Sequence, residues 1–271
     1  MPSPYTIKTV TNIAQAKLLE GEWRSLTEKN VGTKSDLQYF MSWEWLSQWL
    51  ETYEDFIAEL KIICILYNGE YIAIAPFYIC INSPWNITTK TLSFIATNEP
   101  EQCEVASEFI DIAYSSAHKY KVIKLLSTQL TKLNNITHYS FKDLNKNALM
   151  YTVCQKIKHT MLAFEENVSG YQFIINTKSP SQYSSSFLKK KKRILNKFEK
   201  IGNSNNCQFV IASEISQALN LYEQLIKLHQ QRWEQKNKPG VFSNSYFYEF
   251  HKSLIKRCFK KGMIILSAIQ I

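Results

Sequence analysis

Hydrophobic residues recur along this chain at two different spacings, which predict a mixture of helices and strands. A helix is predicted from residue 43 to residue 53, with Ser42 as its N-cap and Glu44 in its first turn, where the helix dipole favours an anion. Its apolar residues lie three and four positions apart and should form one buried face: Leu46, Trp49, Leu50 and Tyr53. The tryptophans of this segment are interpreted as core anchors rather than as a ligand-stacking surface, because large aromatic rings dominate core burial.

Segments rich in β-branched and aromatic residues predict strands. Residues 60–67 and 71–81 are joined by Asn68-Gly69-Glu70, a sequence that favours a tight hairpin turn. Further strands are predicted at residues 91–96, 107–114, 136–144, 161–164 and 171–175, and further helices at 13–26, 119–133 and 148–158. Helices that alternate with antiparallel strands favour an α/β (α+β) fold, with mixed and mostly antiparallel sheets flanked by helices, over a helical bundle.

Acidic residues cluster after the third of these strands: Glu99, Glu101, Glu104, Glu108 and Asp111. Their spacing matches no metal-ligand signature, so they are interpreted as solvated loop charge rather than as a metal site or a base. Glu108 and Asp111 stand out, because they flank Phe109-Ile110 within the predicted strand at 107–114.

A lysine-rich helix is predicted from residue 187 to residue 200. Its apolar positions should form a buried face: Phe187, Leu188, Ile194, Leu195, Phe198 and Ile201. Lys190 and Arg193 lie outside that face. These two residues either hold the phosphates of a ligand or belong to a solvated surface.

The next predicted helix carries one apolar stripe, which begins at Ile215 and passes through Tyr222. At the polar end of the helix the stripe continues to His229 and Trp233. His229 is therefore either a satisfied core histidine or an acid/base residue. Arg232 flanks the stripe and is the better candidate for anion binding, since a guanidinium cannot be buried cheaply without an anion.

The net charge of the 271-residue chain is +9, and it is unevenly distributed. Residues 1–135 hold 11 basic and 15 acidic side chains (−4), whereas residues 136–271 hold 21 and 8 (+13). The basic half suits a phosphorylated ligand or an anionic membrane surface. Nucleic acid is less favoured, because no known binding motif accompanies the charge and aromatic residues are not interleaved with it.

Cysteines and termini narrow the class of protein further. Six cysteines at wide spacing, without a CxxC pair, argue against a metal site and against a disulfide framework. The N-terminus lacks a basic start followed by an apolar run, and the most apolar stretch, residues 60–81, is interrupted by the polar hairpin turn. We therefore expect neither a signal peptide nor a transmembrane helix, and a cytoplasmic protein.

Several short segments occur in an order that is typical of one family. They are Trp43-Glu44-Trp45-Leu46, Ile74-Ala75-Pro76-Phe77, Ser181-Gln182-Tyr183 before the lysine-rich helix, Leu228-His229-Gln230-Gln231-Arg232-Trp233, Gly240-Val241-Phe242, and a helix with Phe247 and Phe250. In this order the chain resembles the BioF2-like acetyltransferases. That family is a branch of the GNAT superfamily which includes CelD-type acetyltransferases and is similar to the FemABX peptidyltransferases.

The resemblance implies tandem GNAT-like domains at residues 1–168 and 169–271, and transfer of an acyl group from acetyl-CoA or another acyl-CoA to an amine. The acceptor would be a small molecule or a cell-envelope precursor, and no metal would take part. Four residues are expected to bind the cofactor: Lys190, Arg193, Arg232 and Trp233. His229 is the candidate acid/base residue.

The second domain is expected to be incomplete at its C-terminal end. Residues 42–62, a capped aromatic helix that leads to a strand, have a counterpart in residues 245–265, after which only six residues follow. No glycine-rich pyrophosphate loop follows Gly262, and a strand at 264–269 would leave an apolar edge through which the chain could self-associate. The alternatives to an acyltransferase are a non-catalytic remnant and a basic protein that binds anions or nucleic acid.

Overall fold

The computed structural model describes residues 3–29, 36–82, 88–168, 170, 185–204 and 208–270. The chain divides into two compact units: unit 1 is Met1–Glu165 with Gln230–Leu254, and unit 2 is Glu166–His229 with Ile255–Ile271. Both helices and a mixed sheet are present, so the predicted α/β class is confirmed. The tandem arrangement of two GNAT-like domains stays a prediction.

The described residues form helices and strands in alternation. The helices are α1 (Ile13–Lys17), α2 (Glu20–Lys29), α3 (Trp43–Thr52), α4 (Lys119–Leu130), α5 (Leu149–Ile157), α6 (Ser185–Ser204), α7 (Ile215–Glu234) and α8 (Ser245–Cys258). The strands are β1 (Tyr5–Val10), β2 (Glu59–Tyr67), β3 (Glu70–Asn82), β4 (Thr89–Phe94), β5 (Ala113–Tyr114), β6 (His138–Ser140), β7 (Gln208–Ile211) and β8 (Ser267–Gln270).

The sheet of unit 1 has six strands and is built around β3. Its order is β1-β2-β3-β4-β6, with β5 also paired to β3, and every pair is antiparallel except the parallel pair of β4 and β6. β2 lies along one edge of β3. On the other edge, β4 pairs from Phe77 to Asn82 and β5 pairs at Ala73 and Ile74. The chain from residue 95 to residue 112 therefore leaves the sheet after β4 and returns to the same edge of β3.

The hairpin between β2 and β3 is confirmed. Tyr67 pairs with Glu70, so the connection has two residues, Asn68 and Gly69, whose φ angles are 49° and 88°. A two-residue turn with positive φ at both positions matches the twist of the flanking strands, and asparagine and glycine tolerate this conformation best.

Helix α3 lies in the core of unit 1. The side chain of Ser42 accepts a hydrogen bond from the backbone N–H of Trp45 at 3.2 Å, which confirms the predicted N-cap. The predicted buried face is also confirmed, since none of its four apolar side chains is more than 2% exposed. The three tryptophans of this helix are at most 5% exposed and act as core anchors, as predicted.

Some predicted elements of unit 1 are wrong. The single helix predicted at 13–26 is two helices, α1 and α2; the two residues that separate them are the exposed Leu18 and the buried Leu19. Residues 161–164 form a bend and irregular chain rather than a strand. Strand β1 was not predicted, and the predicted strand at 171–175 lies outside the described residues.

The predicted strand at 107–114 is also wrong, except for β5 at its end. Residues 107–112 are irregular, although Ser107, Ile110 and Ile112 are buried. These residues form a buried loop in which apolar and polar side chains alternate. The alternation has the period of a strand, but the loop lacks the hydrogen bonds of one.

Unit 2 buries less of its apolar surface than predicted. On α6, Leu188, Ile194 and Leu195 are 46%, 45% and 51% exposed, so the predicted buried face is wrong at these positions. The other residues of that face, Phe187, Phe198 and Ile201, have side chains outside the described set. β7 and β8 pair as an antiparallel ribbon.

An ion pair between the partly exposed Arg24 and the buried Glu44 joins α2 to α3. Arg24 Nη2 lies 2.7 Å from Oε1 of Glu44, and Arg24 Nη1 lies 3.3 Å from Oε2, so the contact is bidentate. The side chain of Glu44 is only 1% exposed. The hydrogen bond to this carboxylate raises the pKa of Arg24, and Glu20, one turn earlier on α2, adds a second contact at 2.8 Å.

We expect Arg24→Ala to lower the free energy of unfolding by roughly 3 kcal/mol, because the buried carboxylate of Glu44 would lose its counter-charge. Urea denaturation measures the change. The matched control is Lys17→Ala, which removes an exposed ion pair with Glu51 of 2.8 Å and should change stability by less than about 1 kcal/mol. Equal effects of the two substitutions would contradict the assignment of Arg24.

Candidate functional site

Three aromatic side chains of the α3 segment hold the loop between β4 and β5. They are spaced four residues apart on one helical face. Trp45 Nε1 donates a hydrogen bond to Ser107 Oγ at 2.8 Å, Trp49 Nε1 donates to Glu99 Oε1, and the Tyr53 hydroxyl donates to the Cys103 carbonyl at 2.7 Å. The polar tip of each buried ring is thereby satisfied, and the loop is fixed at three points.

The backbone of this loop is strained. Ala96, Asn98, Ala106 and Phe109 have φ angles of 64°, 66°, 54° and 59°. Left-handed conformations are unfavourable for residues with a Cβ, and they persist only where the surrounding contacts over-determine them. The Tyr78 hydroxyl adds such a contact by donating to the Thr97 carbonyl at 2.7 Å.

Glu99 is buried at the centre of this arrangement, with 6% of its surface exposed. Burial raises the pKa of its carboxyl to about 7, although hydrogen bonds from its own backbone N–H and from Trp49 act in the opposite direction. Among weaker influences, Glu104 raises this pKa and Lys142 lowers it. Oε2 of Glu99 has no hydrogen-bond partner among the described residues. The interpretation of Glu99 as solvated loop charge is therefore wrong.

A cleft of about 500 Å³ lies beside Glu99, entirely within unit 1. Its walls come from residues 55–58 before β2, from β3 at Tyr78, Cys80 and Ile81, and from the strained loop at residues 98–100. A carboxyl that titrates near neutral pH beside a cleft is suited to proton transfer or to binding a cation. This cleft is therefore the candidate site in the described part of unit 1.

Asp111 has a structural role. Its Oδ2 accepts a hydrogen bond from the backbone N–H of Leu149 at 2.7 Å, and its Oδ1 accepts from Met150 at 2.9 Å. These are the first two residues of α5, so Asp111 caps that helix from a distant part of the chain. Glu108 is exposed.

The cationic residues predicted from the sequence lie on two helices. Lys190 and Arg193 are exposed on α6, one turn apart. Arg232 is exposed in the last turn of α7, next to the half-buried Trp233 and one turn after the half-buried His229. Lys190 and Arg193 thus share one helix, and the other three residues share another.

The Trp233 ring is flanked by lysines. Lys236 Nζ lies 5.1 Å from the ring centroid and Lys238 Nζ lies 5.7 Å from it. Both distances suit cation–π contacts. Positive charge is therefore concentrated around Trp233, close to Arg232 in the sequence.

Neither a metal centre nor a membrane span is apparent in the described ranges. Within these ranges, no three His, Cys, Asp or Glu side chains are grouped to hold a metal ion. None of the described helices combines the length and the apolar character needed to cross a membrane.

A family model matches the C-terminal part of the chain. Residues 186–271 match the family described as "Acetyltransferase (GNAT) domain". This segment is similar to GNAT acetyltransferases. It comprises α6, β7, α7, α8 and β8 and includes all five predicted site residues, whereas the Glu99 cleft lies outside it. No curated protein matches the chain.

Solved acetyltransferase structures show weak similarity to the chain. A possible acetyltransferase from Clostridium difficile 630 is 10% identical over 63% of this chain and 99% of its own, with a TM-score of 0.34. An aminoglycoside acetyltransferase from an uncultured soil metagenomic sample, in complex with sisomicin, is 9% identical over 64% and 97%, with a TM-score of 0.34. Glucosamine-6-phosphate N-acetyltransferase from Arabidopsis thaliana is 15% identical over 62% and 97%, with a TM-score of 0.31.

We expect the pKa of Glu99 to make stability depend on pH. The folded pKa of Glu99, about 7, lies above its unfolded value. The contribution of the protonated carboxyl to stability is therefore fully present below the unfolded pKa, and it is lost as pH rises through the folded pKa. From about pH 4 to about pH 8 the free energy of unfolding of the wild type should fall by about 3 kcal/mol relative to that of Glu99→Gln. Urea denaturation at a series of pH values measures this difference.

The matched control for this experiment is Glu101→Gln. Glu101 belongs to the same loop but is exposed, so its replacement should leave the pH dependence of the wild type in place. A difference between wild type and Glu99→Gln that stays constant with pH would contradict the raised pKa.

Proposed function

We propose that this protein is an acyltransferase of the GNAT type, which moves an acyl group from acetyl-CoA or another acyl-CoA to an amine. The observation that carries this proposal is the match of residues 186–271 to the GNAT acetyltransferase domain. Within that superfamily we assign the chain to the BioF2-like branch, similar to FemABX, on the order of its sequence motifs. The acceptor is a small molecule or a cell-envelope precursor with a free amine. Because acyl-CoA is the donor, we place the reaction in the cytoplasm.

The reaction needs no covalent enzyme intermediate. The acceptor nitrogen attacks the thioester carbonyl and forms a tetrahedral intermediate. The C–S bond then breaks, CoA leaves as its thiolate and an amide remains; the proton that the amine lost converts the thiolate to the CoA thiol. In the proposal, His229 accepts the proton that the amine loses.

The basic residues of the matched segment are assigned to the donor. Exposed guanidinium and ammonium groups form charge-assisted hydrogen bonds with phosphates, which suits Lys190, Arg193 and Arg232 to the anionic groups of CoA. The half-buried Trp233, with two lysines against its ring, offers a flat wall within a positive field. These assignments rest on side-chain chemistry and on position in the motif.

We expect Arg232→Ala to weaken acetyl-CoA binding about tenfold, because one charge-assisted contact to phosphate is lost. Isothermal titration calorimetry of the full chain measures the affinity. Lys227→Ala is the matched control, since Lys227 is another exposed cation of α7 outside the predicted set. Its affinity should equal that of the wild type.

Two results would contradict the proposal. If folded wild-type protein gives no heat with acetyl-CoA, the chain is a non-catalytic relative. If Arg232→Ala and Lys227→Ala weaken binding equally, and binding falls steeply with added salt, the chain is a general binder of anions rather than a specific acyl-CoA enzyme. Release of one CoA thiol for each amide formed would support acyl transfer directly.

A further inference from the structure

The cleft beside Glu99 has the size and composition of a ligand-binding site. Its volume of about 500 Å³ lies within the range of roughly 300–1,000 Å³ that small-molecule sites occupy. Phe56 and Tyr78 give it aromatic walls, while Glu99 and Asp55 give it acidic groups. None of the described residues that line it is basic.

The carboxyl of Glu99 is incompletely satisfied. One oxygen accepts from the Trp49 indole, whereas Oε2 is buried and has no hydrogen-bond partner among the described residues. A buried carboxylate oxygen without a donor is unfavourable, and native structures rarely leave one without a reason. The terminal torsion of a glutamate is soft, so the carboxyl can rotate and offer this oxygen to a ligand in the cleft.

Packing alone does not account for a glutamate at this position. A glutamine would accept the same hydrogen bond from Trp49 without the buried charge, and an apolar residue would avoid the unsatisfied oxygen. The loop nevertheless holds Glu99 next to the left-handed Asn98, and the Tyr78 hydroxyl fixes Thr97 just before it. Strained backbone that positions a buried charge at a cleft is typical of a binding or catalytic site.

The surrounding groups select the charge of the ligand. Two carboxyl groups without a basic residue in the lining favour a cation. An ammonium group donates the hydrogen bond that Oε2 of Glu99 lacks, and it also interacts favourably with aromatic side chains, of which the lining contains Phe56 and Tyr78. A hard metal ion would need about six oxygen ligands, more than these two side chains provide.

We infer that the Glu99 cleft binds a small organic cation, a molecule with a protonated amine, with Glu99 as its counter-charge and Tyr78 and Phe56 as its walls. The lining residues lie outside the segment that matches the acetyltransferase domain, although Tyr246 of that segment donates a hydrogen bond to Asp55 at 2.9 Å and packs against Phe56. The inference therefore does not depend on acyl transfer, and it can hold or fail independently of that function.

The test uses the indole signal of Trp49, because its N–H donates directly to Glu99. The chain has six tryptophans, and Trp49→Phe assigns the signal in a two-dimensional ¹H–¹⁵N spectrum. Wild-type protein is titrated with methylamine, benzylamine and cadaverine, and with benzyl alcohol as a neutral control. We expect at least one amine to shift the Trp49 signal saturably, while benzyl alcohol leaves it in place.

Variants locate the binding. Glu99→Gln keeps the acceptor for Trp49 and removes the charge, so amine affinity should fall by at least about tenfold, whereas Glu101→Gln should bind like the wild type. Ala58→Phe fills the cleft from an exposed lining position, leaves Glu99 unchanged and should also abolish binding. Thermal unfolding of each variant verifies the fold.

Three results would overturn the inference. The first is a wild-type protein whose Trp49 signal responds saturably to none of the three amines. The second is an equal response to benzylamine and benzyl alcohol, which would show that charge is irrelevant. The third is wild-type amine affinity in folded Glu99→Gln or in folded Ala58→Phe.

Discussion

The hydrogen bonds from Trp45, Trp49 and Tyr53 to the loop between β4 and β5 are the contacts on which the site in unit 1 depends. Each ring buries a large apolar area, and its polar tip must find a partner within the core. A spacing of four residues places the three tips in a row along one helix. Helix α3 thus determines the path of the irregular loop between β4 and β5. The core of unit 1 thereby also positions the cleft beside Glu99.

This arrangement explains how a strained loop can persist. Four left-handed residues with side chains would each cost about 1 kcal/mol in a free peptide, and a loop of this length would relax if it were attached only at its ends. Attachment to α3 at three points and to Tyr78 at a fourth removes that freedom. Glu99 lies at one of these points, so its carboxyl is held in an apolar surrounding that it would otherwise leave for water.

The regular elements of unit 1 were largely predictable, since Ser42, the apolar spacing of α3 and the Asn68-Gly69 turn each have a local physical cause. Burial of Glu99 has no local cause: it depends on contacts with α3, about fifty residues earlier, and an acidic residue in a polar loop is usually solvated. The available signal was the row of polar-tipped aromatics, which require buried acceptors somewhere in the chain. On α6, helical periodicity predicted the element correctly, but periodicity cannot supply the surface that would cover it.

The basic helices and the Glu99 cleft present charge in physically different ways, and this difference separates their chemistry. The cations of α6 and α7 are exposed, so each acts through water, is screened by salt and contributes little alone. Their effect on an anion must come from several groups together, and it should weaken as ionic strength rises. Glu99 is a single group in a low-dielectric surrounding, where screening by salt is weak and the protonation state decides the charge. Ligand binding at Glu99 should therefore respond to pH and little to salt, whereas binding at the basic helices should respond to salt.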